Sequence, residues 1–517
     1  MVKVEKSWTL SVPAFYAGKS ILITGASGFM GKVLIEKLLR SCPDIREIFL
    51  LMRPKKGTSI DGRLRTLLTL PLFDKLREER PSSFEKLIPV NGDVIEEGLG
   101  LAPTERRVLA ERVSIIFHVA ASVRFDDTLK DAVIVNARAT RDVCILATNM
   151  KQLLAFVHVS STYSQADKPE VKEIVYPAEV DWKQTIKIAE NVDDHTLRIL
   201  TPKFLGTSPN TYTFSKRLAE QVVTEYSEVL PVVIFRPSIV ISSLAEPVPG
   251  WLDNFNGPVG MMVGGGKGIL RVLYVDPTLS ADFIPVDIAI KGMVCAAWKR
   301  GITTVTQDPK THVYNCASCG IKSITTAEIV EMGLRMTEEI PLEGILWYPN
   351  TLTTNSKLLY YILTMILHFF PALILDGFLK MSGRREMLTK LQRKVFTANS
   401  ALEYFLINQW KFRNEKMLNL LTDLPTEDLD TFGYDYWNFD IVEYFRGCLI
   451  GAKVYLLKED MNKVEEAKAH FKRMQWIDRV FKFWFIVAVS WIAIRSGLIE
   501  WITDTYHSMI DDPILET

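Results

Sequence analysis

The run KSILITGASGFMG at residues 19–31 restricts this chain more than any other feature. Residues 19–24 are an apolar segment of strand length, glycines follow at once, and a helical pattern continues from residue 32 to about 40. Strand, glycine turn and helix in that order is the context in which three glycines at this spacing have separate tasks. Gly25 permits the tight turn, Gly28 lets backbone approach a pyrophosphate, and Gly31 lets helix pack on strand. Thr24, Ser27, Phe29 and Met30 complete the cradle, and amide groups at the helix start would hold the phosphates. Further strand-length apolar runs at 47–52, 86–90, 113–119 and 154–159 alternate with helical stretches. The pattern implies an α/β chain with a Rossmann-like, doubly wound parallel sheet.

The chain has 517 residues, more than such a sheet needs, and its 61 Lys and Arg balance 61 Asp and Glu. A zero net charge argues against a protein that wraps nucleic acid. Six cysteines are too sparse for a disulfide scaffold and imply a reducing compartment. The opening MVKVEKSWTL carries charges where a secretory signal needs an apolar stretch, so the bulk of the chain is expected to face the cytosol. Cys316 and Cys319 form a lone CxxC with no second pair and no metal-spaced histidine, which reads as coincidence; no metal is expected.

The strand at 47–52 ends in Arg53, with Lys55 and Lys56 close behind. An NAD-binding chain would carry an acid there; cations suit a 2′-phosphate, so NADPH is favoured. Asp93 is placed to accept from the adenine amino group while Val94 packs on the ring, and Ala120 and Ala121 are small enough for close backbone approach. The strand at 154–159 ends in Ser160, Ser161, Thr162 and Tyr163, at the strand end where open α/β sheets hold their ligands. Tyr212 and Lys216 follow in YTFSK, four apart on one helix face. An ammonium beside a phenol lowers the phenol's pKa from about 10 toward working pH, which general acid chemistry needs. Tyr and Lys at this spacing are common on helix surfaces; the glycine turn and the serine-ended strand give this pair its weight.

TGASGFMG, SST and YTFSK, in this order and at these distances, resemble the extended short-chain dehydrogenase/reductase superfamily. HVAASVRFDDTLKDAVIVN (118–136), FRPSIV (235–240), GWLDNFNGPVG (250–260), GGGKGILR (264–271) and a C-terminal stretch at about 352–459 resemble, more narrowly, the fatty acyl-CoA reductases. The resemblance implies reduction of long-chain acyl-CoA to primary alcohol with two NADPH, feeding wax ester or ether lipid synthesis. It also implies Tyr212 as proton donor, Lys216 as its tuning cation and ribose ligand, and Ser161 as the hydrogen-bond donor to substrate oxygen. Where the family usually reads STAY this chain reads SSTY, which keeps Ser160 as a lesser candidate; Asn136 takes the place of a residue that braces the active-site helix. None of the six cysteines sits in a nucleophile motif, in keeping with a route without acyl-enzyme. The competing expectations are an extended reductase for a sterol or nucleotide sugar, which leaves 250–271 unexplained, and a catalytically silent cofactor-binding membrane scaffold.

Three segments are expected: a reductase domain at 1–350, a mostly helical C-terminal domain at 351–460, and an apolar tail at 461–517. Lys267 and Arg271, on a glycine-rich loop, are candidates to clamp CoA phosphates. Residues 358–375 are uncharged over 18 positions but contain His368 and Pro371, and are expected to form a buried or membrane-contacting helix rather than a span. A second apolar run at 483–494, with Trp476, Trp484, Trp491 and Trp501 crowded around it, is expected to attach the chain to membrane lipid. Resemblance alone favours the cytosolic face of the peroxisomal membrane over the endoplasmic reticulum. The sequence is silent on oligomeric state.

Overall fold

The computed structural model describes residues 10–55, 57–303, 308, 310–318, 321, 323–434 and 439–497. Seven strands, β1 Ser20–Thr24, β2 Glu47–Met52, β3 Leu87–Asn91, β4 Val113–His118, β5 Ala155–Val159, β6 Val232–Pro237 and β7 His312–Cys316, form one sheet in the order 3-2-1-4-5-6-7. Every neighbouring pair is parallel. Chain order reverses between β1 and β4, and this reversal opens the crevice in which such sheets bind ligands.

All residues of β1, β2, β4, β5 and β6 are buried, because helices cover both faces of a parallel sheet. Alternate side chains feed two cores. Ile21, Ile23, Ile48 and Leu50 pack with Val33, Leu34 and Leu38 of helix α1 (Phe29–Ser41) on one side. Leu22, Phe49, Ile116 and Phe156 pack on the other side with Phe214, Leu218 and Val222 of helix α2 (Thr211–Tyr226). Beyond these lie α3 (Pro258–Gly266), α4 (Val286–Ile302), α5 (Lys357–Met381), α6 (Leu388–Leu406), α7 (Ile441–Gly451) and α8 (Val464–Arg495).

The glycines at 264–266 do not form the open loop read from their composition; they are the last turn of α3. The lack of side chains serves packing, since a Cβ on Gly265 would come within 2.9 Å of the Thr351 hydroxyl and one on Gly266 within 2.7 Å of the Thr337 methyl. Residues beyond 350 are threaded into the earlier part of the chain. Leu352–Thr354 pairs in parallel with Val272–Tyr274, and Lys411–Phe412 pairs with Glu170–Val171. Phe445, Cys448 and Leu449 of α7 share a core with Ile241, Leu252 and Met262.

The closest approach between these parts is backbone against backbone. Gly250 has φ +74°, and a Cβ there would lie 2.3 Å from the carbonyl oxygen of Gly447, while a Cβ on Gly451 would lie 1.8 Å from the carbonyl oxygen of Gly250. Gly447 itself has open space at its Cβ position. Gly451→Ala is therefore expected to destabilise the protein by about 1–3 kcal/mol through overpacking. Gly447→Ala, one helical turn away, is expected to be neutral or to stabilise by a few tenths to about 1 kcal/mol. Thermal unfolding of the two variants side by side checks the contact; equal effects would remove it.

Candidate active site

The turn after β1 has the backbone that a dinucleotide needs. Gly25 has φ +74°, and a Cβ there would stand 2.6 Å from the amide nitrogen of Ala120, so the close passage of β1's end past β4's end requires glycine. A Cβ on Gly31 would meet the Gly25 carbonyl oxygen at 2.3 Å. Gly28 differs: a Cβ there would touch only the Gly25 oxygen, at 3.2 Å, which leaves its outer side clear for phosphate at the N-terminus of α1. Thr24 sits beneath this cradle, fully buried. Its hydroxyl accepts from the Ala120 amide and lies 2.7 Å from Nδ1 of His118, tying β1 to β4. Burial, and then the charge of Lys216, pushes His118 down to about 3, so this tie is neutral.

One cleft of about 1540 Å³ runs from this turn to the catalytic candidates. Its cofactor end is lined by Ser27, Gly28, Phe29, Met30, Arg53, Asp93, Val94 and Ala120. Arg53 donates to the Asp93 carboxylate at 3.2 Å and remains more than half exposed. Arg63, which sequence reasoning missed, donates to the Arg53 carbonyl and reaches the Ser27 hydroxyl at 3.4 Å. Only folding shows that the helix at Ile60–Leu68 turns back over the glycine turn. Lys55 is exposed beside this end, and Lys56 lies outside the described residues. Glycine cradle, helix N-terminus and paired arginines fit a dinucleotide.

The other end is built on α2. Asn210 caps the helix by accepting from the Thr213 amide at 2.9 Å, which sets Tyr212 in the first turn at the cleft wall. Ser161 hydrogen-bonds the Tyr212 phenol, and Ser160 turns away, its hydroxyl 2.5 Å from Glu220. Lys216 is buried, with Nζ donating to the carbonyl oxygen of Val159 at 2.7 Å. Asn136, in a π-helical turn at Val133–Arg138, donates to the Ser215 hydroxyl at 2.9 Å and to the Ser122 carbonyl at 3.1 Å, so it braces α2 from the side.

The expected lowering of the phenol's pKa is not what this arrangement produces. Burial raises Tyr212 above its ordinary value, against a smaller lowering by the Ser161 hydrogen bond. The ammonium of Lys216 is spent on the Val159 carbonyl, and burial lowers it to about 8 against the opposing charge of Glu220. Tyr212 is thus a protonated donor at neutral pH, suited to receiving an oxyanion.

Glu220 is the second feature that the sequence did not disclose. It follows Tyr212 and Lys216 at the same four-residue interval and is fully enclosed. It accepts from Ser160 and Ser164 and from two nitrogens of Arg236, at 2.8 and 2.7 Å. Burial alone would raise its carboxyl, yet the Arg236 guanidinium and the two serine hydroxyls outweigh burial and hold it below the usual range.

The proposed phosphate cations are placed differently from the expectation. Lys267 lines the cleft, but its ammonium pairs with Glu459 at 2.5 Å and caps the Glu343 carbonyl. Arg271 is not part of the cleft wall; it lies over the Trp347 ring at 5.4 Å. The structure brings to the cleft instead a wall to which the sequence assigned no role: Leu391, Val395, Leu402 and Phe405 of α6. The Phe405 ring lies 5.1 Å from that of Phe125, which is 5.5 Å from that of Tyr212, so this wall reaches the candidate phenol. Arg393 and Lys394 stand on the same wall, exposed. Among the described residues no His, Cys, Asp and Glu cluster could hold a metal. Cys316 is buried, and Cys319 lies outside the described residues.

A parallel sheet with a glycine cradle at its switch point and a Ser–Tyr–Lys set across the cleft defines an extended short-chain reductase that uses a nicotinamide dinucleotide. Residues 23–293 match the family described as Male sterility protein, and residues 367–459 match a second family of the same description. The chain is 38% identical over 481 residues to fatty acyl-CoA reductase 1 of Xenopus laevis, covering 93% of each chain. It is 37% identical over 489 residues to fatty acyl-CoA reductase 2 of Homo sapiens, covering 94% of each. The chain belongs to the fatty acyl-CoA reductase family. Its fold is shared with the reductase domain of a nonribosomal peptide synthetase from Mycobacterium tuberculosis, at TM-score 0.57 and 17% identity over 87% of this chain and 96% of that one.

The position of Lys216 sets a pH expectation. Its proton is lost as pH rises through about 8, so the charged form is full below that value and depleted above it. The free-enzyme profile, kcat/KM, is expected to fall above pH about 8, approaching tenfold per pH unit. A flat profile to pH 10 would remove the ammonium from the mechanism.

Proposed function

We propose that the protein reduces long-chain fatty acyl-CoA to primary alcohol, using two NADPH. The observation that carries this is the single cleft joining the dinucleotide turn, the Ser161–Tyr212 pair and the apolar wall of α6, in a chain whose relatives are named fatty acyl-CoA reductases. NADPH over NADH rests on Arg53, with Arg63 beside it, at the cofactor end.

The bound cofactor supplies a hydride at each of two reductions. Ser161 and Tyr212 donate hydrogen bonds to the oxyanion that develops on the thioester carbonyl, and Tyr212 passes it a proton. The resulting hemithioacetal opens to aldehyde and CoA thiol. Tyr212 regains a proton from solvent, the same two hydroxyls then receive the aldehyde oxygen, and the second Tyr212 proton completes the alcohol. Lys216, one helical turn beyond Tyr212 with its ammonium on the Val159 carbonyl, is the proposed ligand of the cofactor's ribose. Arg393 and Lys394 replace Lys267 and Arg271 as the proposed ligands of CoA phosphates, since they are exposed on the cleft wall and pair with no acid among the described residues.

The proposed cellular setting is wax ester or ether lipid synthesis at the cytosolic face of the peroxisomal membrane. Family resemblance supports that setting. Attachment through the tail is supported by the exposure of Phe483, Trp484, Ile486, Trp491 and Ile494, each more than half exposed along the end of α8. Residues 498–517, including Trp501, lie outside the described residues.

Purified protein given NADPH and a series of saturated acyl-CoAs is expected to yield alcohol, and Tyr212→Phe is expected to yield none while still binding NADPH. Alcohol from the variant at the parent rate would remove the proposed acid. Arg53→Ala is expected to raise KM for NADPH about tenfold, equivalent to about 1.4 kcal/mol, and to leave KM for NADH nearly unchanged. Equal effects on both would mean that the 2′-phosphate is read elsewhere.

A further inference from the structure

Helix α5 is built inside out. Its most buried positions are Tyr360, Thr364, His368, Ala372 and Asp376, spaced four apart along one face, and four of the five carry a polar group. Its outer face carries Leu358, Ile362, Met365, Ile366, Phe370, Leu373, Phe378 and Met381, exposed between 47 and 85%. A helix on a water-facing surface has the opposite arrangement. Over its 25 residues the best window has mean hydropathy 2.1 and only 22% of it is buried. An apolar face of this extent calls for a cover.

The polar inner row decides how that cover is arranged. His368 Nε2 accepts from the backbone amides of Arg271 and Val272 at 3.0 and 3.1 Å. The Asp376 carboxylate accepts from the amides of Met387, Leu388 and Thr389, capping the start of α6. Tyr360 accepts from the Asn399 amide at 2.9 Å. These bonds fasten α5 lengthwise to the protein body, so it cannot be ringed by lipid as a span is. It can present one side only.

The charge beside that side identifies the cover. Between residues 380 and 390 stand four cations, Lys380, Arg384, Arg385 and Lys390, against one acid, Glu386. Lys380 pairs with Glu386 at 3.2 Å, and the other three form no ion pair among the described residues. Apolar residues flanked by unpaired cations match an anionic leaflet, in which acyl chains lie beneath a layer of negative headgroups. A second copy of this chain would instead bring a like excess of positive charge. We propose that α5 lies in the plane of an anionic lipid leaflet, its outer face among the acyl chains and the basic segment 380–390 at headgroup level. Since α6 follows directly and supplies the cleft wall, docking of α5 sets that wall at the surface where long acyl chains reside. This attachment is separate from the tail.

Vesicle binding alone would not separate the two attachments, so the test reads α5 in the full-length protein in vesicles of phosphatidylcholine with phosphatidylserine. Single nitroxide labels are placed by Leu358→Cys, Phe370→Cys and Phe378→Cys, with Ile199→Cys, 67% exposed on the reductase body, as control. The background carries Cys319→Ser; Cys42, Cys144, Cys295, Cys316 and Cys448 are buried. The three α5 labels are expected to collide with dissolved oxygen and to be shielded from a water-soluble nickel chelate, at similar depths, while the control label shows the reverse. Arg384→Glu with Arg385→Glu is expected to shift the α5 labels toward the nickel reagent. Nickel-accessible α5 labels in the parent protein would overturn the proposal. So would depths that run through the bilayer centre, which indicate a span, or dipolar broadening between copies, which indicates a protein interface.

Discussion

The placement of the proposed catalytic groups depends on one buried carboxylate. Glu220 lies two helical turns beyond Tyr212 on α2, and its four hydrogen bonds hold that helix to the end of β5 through Ser160 and Ser164 and to β6 through Arg236. Arg236 in turn caps the carbonyls of Lys172 and Ile174. Removing one partner of such an enclosed pair generally costs about 3–5 kcal/mol, because a charge is left without compensation. The pair therefore fixes the register of α2 against the sheet, and with it the approach of Tyr212 to Ser161 and of Lys216 to the Val159 carbonyl. Asn136 holds the same helix from its other flank. Hydroxyls positioned this way, in the role proposed for them, need no rearrangement when charge develops on a substrate, which is what makes fixed donors effective.

The sheet and the cofactor turn were legible in the sequence because both follow from local rules. Strand-length apolar runs, a glycine needing positive φ at position 25 and helical periodicity after it leave few alternatives, and β1 to β5 fall within a residue or two of where those runs lie. The serine-ended strand and the Tyr212–Lys216 pair were legible for the same reason. Glu220 and Arg236 were not, since an acid on a helix and an arginine on a strand look solvated until the fold encloses both. Arg63 was hidden because nothing local says that its helix folds back over Ser27. Lys267 and Arg271 misled for the converse reason: cations near glycines resemble a phosphate loop, but here Glu459 takes one and Trp347 stacks on the other. The cleft wall on α6 lies in the stretch that resembles the family's C-terminal domain, yet nothing local to Leu391, Val395 and Leu402 says that they face a cleft.

Apolar content of 48% in a chain of zero net charge also acquires a structural meaning. Much of it forms the two cores on either side of the sheet. A further share is displayed outward on α5 and on the end of α8. Polar groups lie beneath α5 and apolar groups above it, and this helix adjoins the one that lines the cleft. The glycine turn stands at one end of that cleft, and an apolar wall leads away from the other.

If one Ser161–Tyr212 pair serves two successive reductions, every CoA thiol released is matched by two NADPH oxidised. NADPH oxidised and CoA thiol released are measured together in single incubations with palmitoyl-CoA, with product identified by mass. Two NADPH per thiol, with primary alcohol as product, is the expected result. One NADPH per thiol with free aldehyde accumulating would contradict it.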